Sequence, residues 1–241
     1  MNRLEVIPVP DLPEIGRGDD LAGLLADAVR RCGERLIERD VVVITQKVVS
    51  KAEGAMADVD PDDPLSHKPL VERESVRILR RRGELIISET RHGFVCANAG
   101  IDLSNVARGQ AALLPEDPDR SARRFRDAIG GRTGVDVGVI VSDTFGRPWR
   151  RGVTDVAIGS AGLHPVLDLR GTHDAYGREL QVTEVAIVDE IAGAADLVMG
   201  KATGVPVAIV RGVDPAAFTP DPGRAGVVSE IVRSPADDLF R

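Results

Sequence analysis

The stretch V-I-V-S-D-T-F-G-R-P-W-R-R-G-V-T-D, residues 139–155, gathers in one place the residue types that phosphate chemistry needs. An apolar strand runs into Asp143 and Thr144, fixing two oxygen ligands on a rigid edge, the kind of pair hard cations such as Mg²⁺ prefer. Arg147, Arg150 and Arg151 follow closely and supply planar donor forks suited to phosphate or carboxylate. A metal site beside an anion site is the layout for handling nucleoside triphosphates. On these residues alone, a strand followed by a solvated basic turn fits equally well.

Other chemistries find little support. There is no G-x-x-x-x-G-K-[ST] loop, no G-x-G-x-x-G after a strand, and no G-x-S-x-G elbow. His67, His92, His164 and His173 lack zinc-hydrolase spacing and read as surface or packing residues. Cys32 and Cys96 form neither a CxxC pair nor a disulfide framework, so a reducing cytosol is the simplest setting. The net charge of −7 argues against nonspecific binding to nucleic acid or anionic membrane, and 3% aromatics against base stacking. No run approaches the roughly 18 apolar residues of a membrane span, and the N-terminus lacks a signal-peptide run. The expectation is a soluble cytoplasmic protein.

The elements that must position these residues alternate irregularly, which favours a mixed α/β (α+β) sheet protein over a doubly wound one. Strands are expected at 4–9, 41–45, 84–89, 93–97, 111–114, 135–141, 181–187 and 207–210, with strands or turns at 157–163 and 167–171. Helices are expected at 21–38 (capped by Asp19 or Asp20), 70–82, 121–132 (capped by Asp119 or Ser121) and 189–198, and a helix or turn at 46–54. The run Arg80-Arg81-Arg82 then reads as the solvated end of a helix. In 46–54, Lys47 and Lys51 lie four apart and can face one anion. Residues 98–105 form a polar turn carrying Asp102, Ser104 and Asn105, and 199–206 a glycine-punctuated loop with Lys201. Length permits one large domain or two small ones. No internal boundary stands out, so residues 1–241 are treated as one domain.

Taken singly, Asp102 reads as a turn residue and Lys201 as a surface lysine. In order along the chain, however, come L-P-E-I at 12–15, V-V-S-K-A-E-G at 48–54, G-I-D-L-S-N at 100–105, L-L-P-E-D-P-D at 113–119, S-D-T-F-G-R-P-W-R at 142–150 and M-G-K-A-T-G-V-P at 199–206. With this series the chain resembles the coenzyme F420-0:L-glutamate ligases, over nearly its whole length.

The resemblance implies a GTP-dependent ligase of mixed α/β fold, an intertwined homodimer that uses Mg²⁺ or Mn²⁺, often with K⁺, to add γ-linked L-glutamate to F420-0 through an acyl phosphate. It implies that Asp102 and Asp143 hold one divalent ion and Thr144 a second. It puts Leu12, Pro13, Glu14, Ile15, Gln46, Lys51, Asn105 and the loop Met199, Gly200, Lys201, Ala202, Thr203, Gly204, Val205, Pro206 around GTP. Arg147 and Arg150, with Arg151, are candidates to orient the acidic acceptor or glutamate. Lys201 departs from the family pattern, since many archaeal members have a metal-contributing Gln there and a protonated lysine cannot ligate. Its own charge on the phosphates is the alternative to a second metal. In actinobacterial relatives a C-terminal flavin domain is fused to this one, so the chain is either a stand-alone ligase or such an N-terminal domain. Two other readings remain: a metal-dependent phosphohydrolase, disfavoured because Phe145 stands where a second Asp would be, and a noncatalytic nucleotide- or cofactor-binding module.

Overall fold

A computed structural model describes residues 3–219 and 226–238. In chain order among these, β1 (Glu5–Val9) is followed by α1 (Leu21–Arg31), β2 (Val41–Thr45), α2 (Gln46–Glu53), β3 (Met56–Asp58) and α3 (Lys68–Glu74). Next come β4 (Ser75–Arg82), β5 (Leu85–Thr90), β6 (Val95–Ala97), β7 (Gln110–Ala112) and α4 (Pro118–Thr133). β8 (Gly138–Arg147), β9 (Arg150–Ala161), β10 (Leu167–Asp168), β11 (Glu184–Val185), α5 (Ile187–Met199), β12 (Val207–Arg211) and α6 (Val227–Glu230) complete the fold. This is the mixed α/β architecture expected from the sequence.

The core is a five-stranded sheet in the order β1-β12-β2-β8-β9, with only β2 and β8 parallel. Val41, Val42, Val43 and Ile44 of β2 are all fully buried, although successive side chains point to opposite faces. Both faces are therefore covered, which is why the run is uniformly apolar. α1 and α4 pack on one another and α4 on β8 and β9, while α5 packs against β9, β1 and β12. A smaller cluster of Val71, Ile86, Ala99, Ile101 and Ala111 supports the β4-β5-β6 sheet and the β3-β7 pair. No helix of the described residues is long and apolar enough to cross a membrane.

The register aligns the ends of these strands. Val9 pairs with Val207, Val207 with Ile44, and Ile44 with Val141, forming one row across four strands. Immediately beyond that row lie the 10–15 loop, Thr45 and α2, the 199–206 loop and Ser142. Segments far apart in sequence thus open onto the same edge, at the carboxyl ends of the parallel pair β2 and β8, where open α/β sheets bind ligands.

Several expectations are corrected. The helix expected at 70–82 ends at Glu74, and the chain becomes β4. Val76, Ile78 and Leu79 are exposed, so no core exists for a helical stripe to enter. Pairing with β5 satisfies the backbone instead, placing Arg80, Arg81 and Arg82 on a strand. α1 stops at Arg31 rather than 38 because Gly33 takes a left-handed conformation (φ 79°). α4 begins at Pro118 under an Asp117 cap, and Asp119 turns inward to accept from the backbone N–H groups of Ser160, Val227 and Val228. The expected strand at 181–187 shrinks to β11. Most relevant to the site, β8 does not end at Asp143 and Thr144 but continues to Arg147 and folds back as β9.

α4 crosses β9 at Gly159, where an added Cβ would come within 2.3 Å of the Pro118 carbonyl oxygen. Gly159→Ala should cost about 1–3 kcal/mol through overpacking, lowering Tm by roughly 3–10 °C in calorimetry. Gly131→Ala, whose Cβ meets nothing within 4 Å, should instead raise stability by about 0.5–1 kcal/mol.

Candidate active site

A cavity of about 690 Å³ opens at this edge. Leu12, Pro13, Glu14 and Ile15 line it from the loop after β1, Thr45, Lys47, Val48 and Lys51 from the β2–α2 junction, and Asp102, Ser104 and Asn105 from the polar turn. Asp143, Thr144, Val153 and Asp155 come from β8 and β9, and Asp196, Met199, Gly200, Lys201, Ala202, Gly204, Val205 and Pro206 from the end of α5 and the loop beyond. A neighbouring cleft of about 580 Å³, bordered by Asp19, Asp20, Asp27 and Arg30, gathers groups mainly from α1 and its lead-in loop and has no comparable convergence.

Five expected site residues, Gln46, Thr203, Arg147, Arg150 and Arg151, lie off this lining. Gln46 is buried at the start of α2, where its Oε1 accepts from Ser50 Oγ and its Nε2 has no protein partner. Thr203 turns back to donate to the Met199 carbonyl. Arg147 and Arg150 pair at the exposed tip of the β8–β9 hairpin, where Arg147 donates to the Arg151 carbonyl.

Each cation in the cavity has an anionic partner. Lys47 donates to Asp102 Oδ2 and Ser104 Oγ, both at 2.9 Å, and the Ser104 N–H donates to Asp102 Oδ1 at 2.7 Å. Burial pushes the Asp102 carboxyl up, but these hydrogen bonds outweigh it and hold the group below the usual carboxylate range. Paired backbone hydrogen bonds of 3.0 and 2.9 Å to Ala112 fix the turn that presents it. Lys51 pairs with the exposed Glu14.

Strand alternation separates Asp143 from Thr144. On the Thr144 side, Asp155 is almost fully buried and accepts from Ser142 Oγ (3.0 Å), Thr144 Oγ1 (2.6 Å) and Lys201 Nζ (2.6 Å). Lys201 also contacts Thr144 Oγ1 and lies 3.1 Å from Asp196 Oδ1. Burial disfavours the Lys201 charge, but Asp155 and Asp196 more than offset this and raise its pKa. Asp143 lies on the other side; burial, reinforced by the charges of Asp102 and Asp155, outweighs the opposing pull of the Thr144 backbone N–H and Lys47 and pushes its carboxyl to about 7. Burial likewise drives the nearby Cys96 thiol to about 12, so it is not a thiolate at neutral pH.

Asp155 and Asp196 were not among the residues singled out in the sequence. Asp155 closes the opening stretch, but its part emerges only from the hairpin register, which sets it opposite Thr144. Asp196 is one acidic residue within an amphipathic helix, and no local pattern marks it.

Among the described residues, no three of His, Cys, Asp and Glu form a ready metal cluster. Asp102 and Asp143 nevertheless fit one Mg²⁺-like ion, which takes one or two carboxylates and completes its shell with phosphate oxygens and water. The proton affinity of Asp143 marks a carboxylate short of positive charge.

The edge of the sheet thus gathers carboxylates and three lysines in one cavity. Comparison with known proteins shows the family. The model of the F420-0:gamma-glutamyl ligase family matches residues 11–212. The chain is 44% identical to a Methanothermobacter thermautotrophicus protein named coenzyme F420:L-glutamate ligase, with 99% of each covered. It is 45% identical to a protein of that name from Methanopyrus kandleri, covering 99% of this chain and 98% of the relative. One from Archaeoglobus fulgidus is 40% identical, over 99% of this chain and 97% of that protein. The chain belongs to the F420-0:gamma-glutamyl ligase family.

Because the Asp143 pKa is raised in the folded state, its stabilising contribution is present at low pH and is lost as pH climbs through about 7. Without divalent ions, Asp143→Asn should therefore gain stability over the parent between pH 4 and 8, reaching several degrees in Tm above pH 7. Parallel thermal melts across that range check this; a constant difference would mean that Asp143 ionises freely.

Proposed function

We propose that the protein is a GTP-dependent ligase that joins L-glutamate through a γ-linkage to coenzyme F420-0, in F420 biosynthesis. The observation that carries this reading is the convergence, in a member of this family, of Asp102, Asp143, Lys47, Lys51 and Lys201 on one cavity large enough for a nucleotide.

The acceptor carboxylate attacks the γ-phosphorus of GTP, GDP departs, and an acyl phosphate forms. The free amine of L-glutamate then attacks the acyl carbon and inorganic phosphate leaves, giving the amide. Asp102 and Asp143 would hold one Mg²⁺ or Mn²⁺, whose charge offsets that on the transferring phosphoryl oxygens. Lys51 grips phosphate: among the described residues its one ion-pair partner is Glu14 on an exposed loop, which an incoming triphosphate can displace. The 12–15 and 199–206 loops wall the nucleotide, with Asn105 beside them. Arg147 and Arg150, at the hairpin tip, orient the acidic acceptor. The reading includes K⁺ as an auxiliary ion and a homodimer, for which the exposed apolar side chains of β4 offer a surface.

The test is phosphate release from GTP with Mn²⁺, with F420-0 and L-glutamate supplied together and separately, and products weighed by mass spectrometry. Release should require both co-substrates, and the acceptor mass should rise by glutamyl units. Asp143→Asn should lower kcat by at least about 100-fold, and Arg147→Lys, which keeps charge but loses the fork, should lower kcat/KM for F420-0 about tenfold. Hydrolysis indifferent to glutamate would overturn the ligase reading in favour of a phosphohydrolase.

A further inference from the structure

We propose that the Lys201 ammonium is itself the second cation of this site, tethered by Thr144, Asp155 and Asp196, so that the protein binds one divalent ion where the family resemblance implies two. The inference rests on reading the cavity as a nucleoside triphosphate site.

Lys201 Nζ donates to Thr144 Oγ1 and to Asp155 Oδ1 at 2.6 Å, and Asp196 Oδ1, which accepts no hydrogen bond, lies 3.1 Å away as an ion-pair partner. Three protein oxygens thus fix the ammonium in place, and its charge is what the cavity receives from it. Lys51 differs, with one exposed carboxylate as partner and donors to spare. Lys201 is thus held as a metal ion would be, in a cage of hard oxygens, rather than as a lysine that grips phosphate.

The ligand atoms are also occupied. The single Thr144 hydroxyl proton goes to Asp155 Oδ1 and one lone pair accepts from Lys201, while Asp155 Oδ2 accepts from Ser142. A metal ion on Thr144 would have to share these oxygens with an ammonium in direct contact with them, and like charges at that range repel strongly when partly screened from water. On the opposite side of β8, Asp143 forms no ion pair with a lysine or arginine among the described residues, whereas Asp102 pairs with Lys47. The strand therefore divides the two positive charges, one built into the chain and one to be supplied with the nucleotide.

Removing the Lys201 charge leaves Asp155, buried to 4% exposure, and Asp196 without their cation. Such a pair must recruit another cation or lose stability. Lys201→Gln supplies an amide oxygen in place of the ammonium, and Lys201→Met keeps length without charge.

The test counts Mn²⁺ bound per chain by electron paramagnetic resonance, at saturating guanosine 5′-(β,γ-imido)triphosphate, with circular dichroism verifying the fold of each variant. No turnover is needed. The parent should bind one Mn²⁺, and Lys201→Gln and Lys201→Met should each bind a second. In melts without nucleotide, Mn²⁺ should raise the Tm of the variants more than that of the parent. Two Mn²⁺ in the parent, or one in both folded variants as in the parent, would overturn the inference and leave the ligase reading standing. No Mn²⁺ in the parent would overturn the metal-dependent reading and this inference with it. If neither variant folds, the parent's count of one or two decides.

Discussion

Asp102, Asp143 and Asp155 approach one another in a partly dehydrated cavity, and like charges so placed repel unless cations stand among them. Asp102 pairs with Lys47 and Asp155 with Lys201, whereas Asp143 pairs with neither, and burial pushes its carboxyl to about 7. That imbalance organises the site. Two carboxylates are neutralised by the chain, and the third is left to draw positive charge from outside. The empty cavity therefore carries a repulsion that a bound cation would relieve.

Such crowding persists only if the backbone cannot relax away from it, and the sheet supplies that rigidity. The row Val9-Val207-Ile44-Val141 pins four strand ends in register. Covering both faces of β2 then leaves these strands no freedom to slide, since a slip of one residue would turn every side chain over. The hairpin of β8 and β9 carries Thr144 and Asp155 as direct neighbours, so their hydrogen bond is set by strand pairing rather than by loop conformation. Asp102 alone comes from a turn, and its backbone pairing with Ala112 ties that turn to β7. Rigid supports thus hold the acidic groups, while the residues expected to close on nucleotide, Leu12 to Ile15 and the loop before β12, sit on loops.

Much of this was legible in the residues because it is local. The apolar run V-V-V-I reads as a strand, and the glycine-punctuated 199–206 segment as a loop. Asp143, Thr144, Asp102 and Lys51 were recognisable from their types and the segments around them. What could not be read was set by pairing. Asp155 becomes a partner of Thr144 only once the turn near Pro148 is known to fold β9 back on β8. The segment at 75–82 has neither strict alternation nor a helical stripe, and β5 decides its conformation. Asp119 looks like a helix cap, yet Pro118 and Asp117 already begin the helix, leaving its carboxylate for the backbone of α6 and β9. Gln46 sits beside Lys47 in sequence, but helix geometry carries it inward, away from the cavity lining.

The lysines also differ in what they can do. Lys47 and Lys201 are each held by two or more protein oxygens and serve the charge balance, whereas Lys51, facing a single exposed glutamate, is free to exchange partners. This division leaves Lys51 as the lysine best placed to turn to an incoming anion. The central claim is that the cavity activates a carboxylate by phosphorylation, and isotope transfer tests it most directly. F420-0 labelled with ¹⁸O in the accepting carboxylate, turned over with GTP and L-glutamate, should deliver one ¹⁸O into the released phosphate. Phosphate that carries oxygen only from GTP and solvent would contradict an acyl phosphate and, with it, the role assigned to this site.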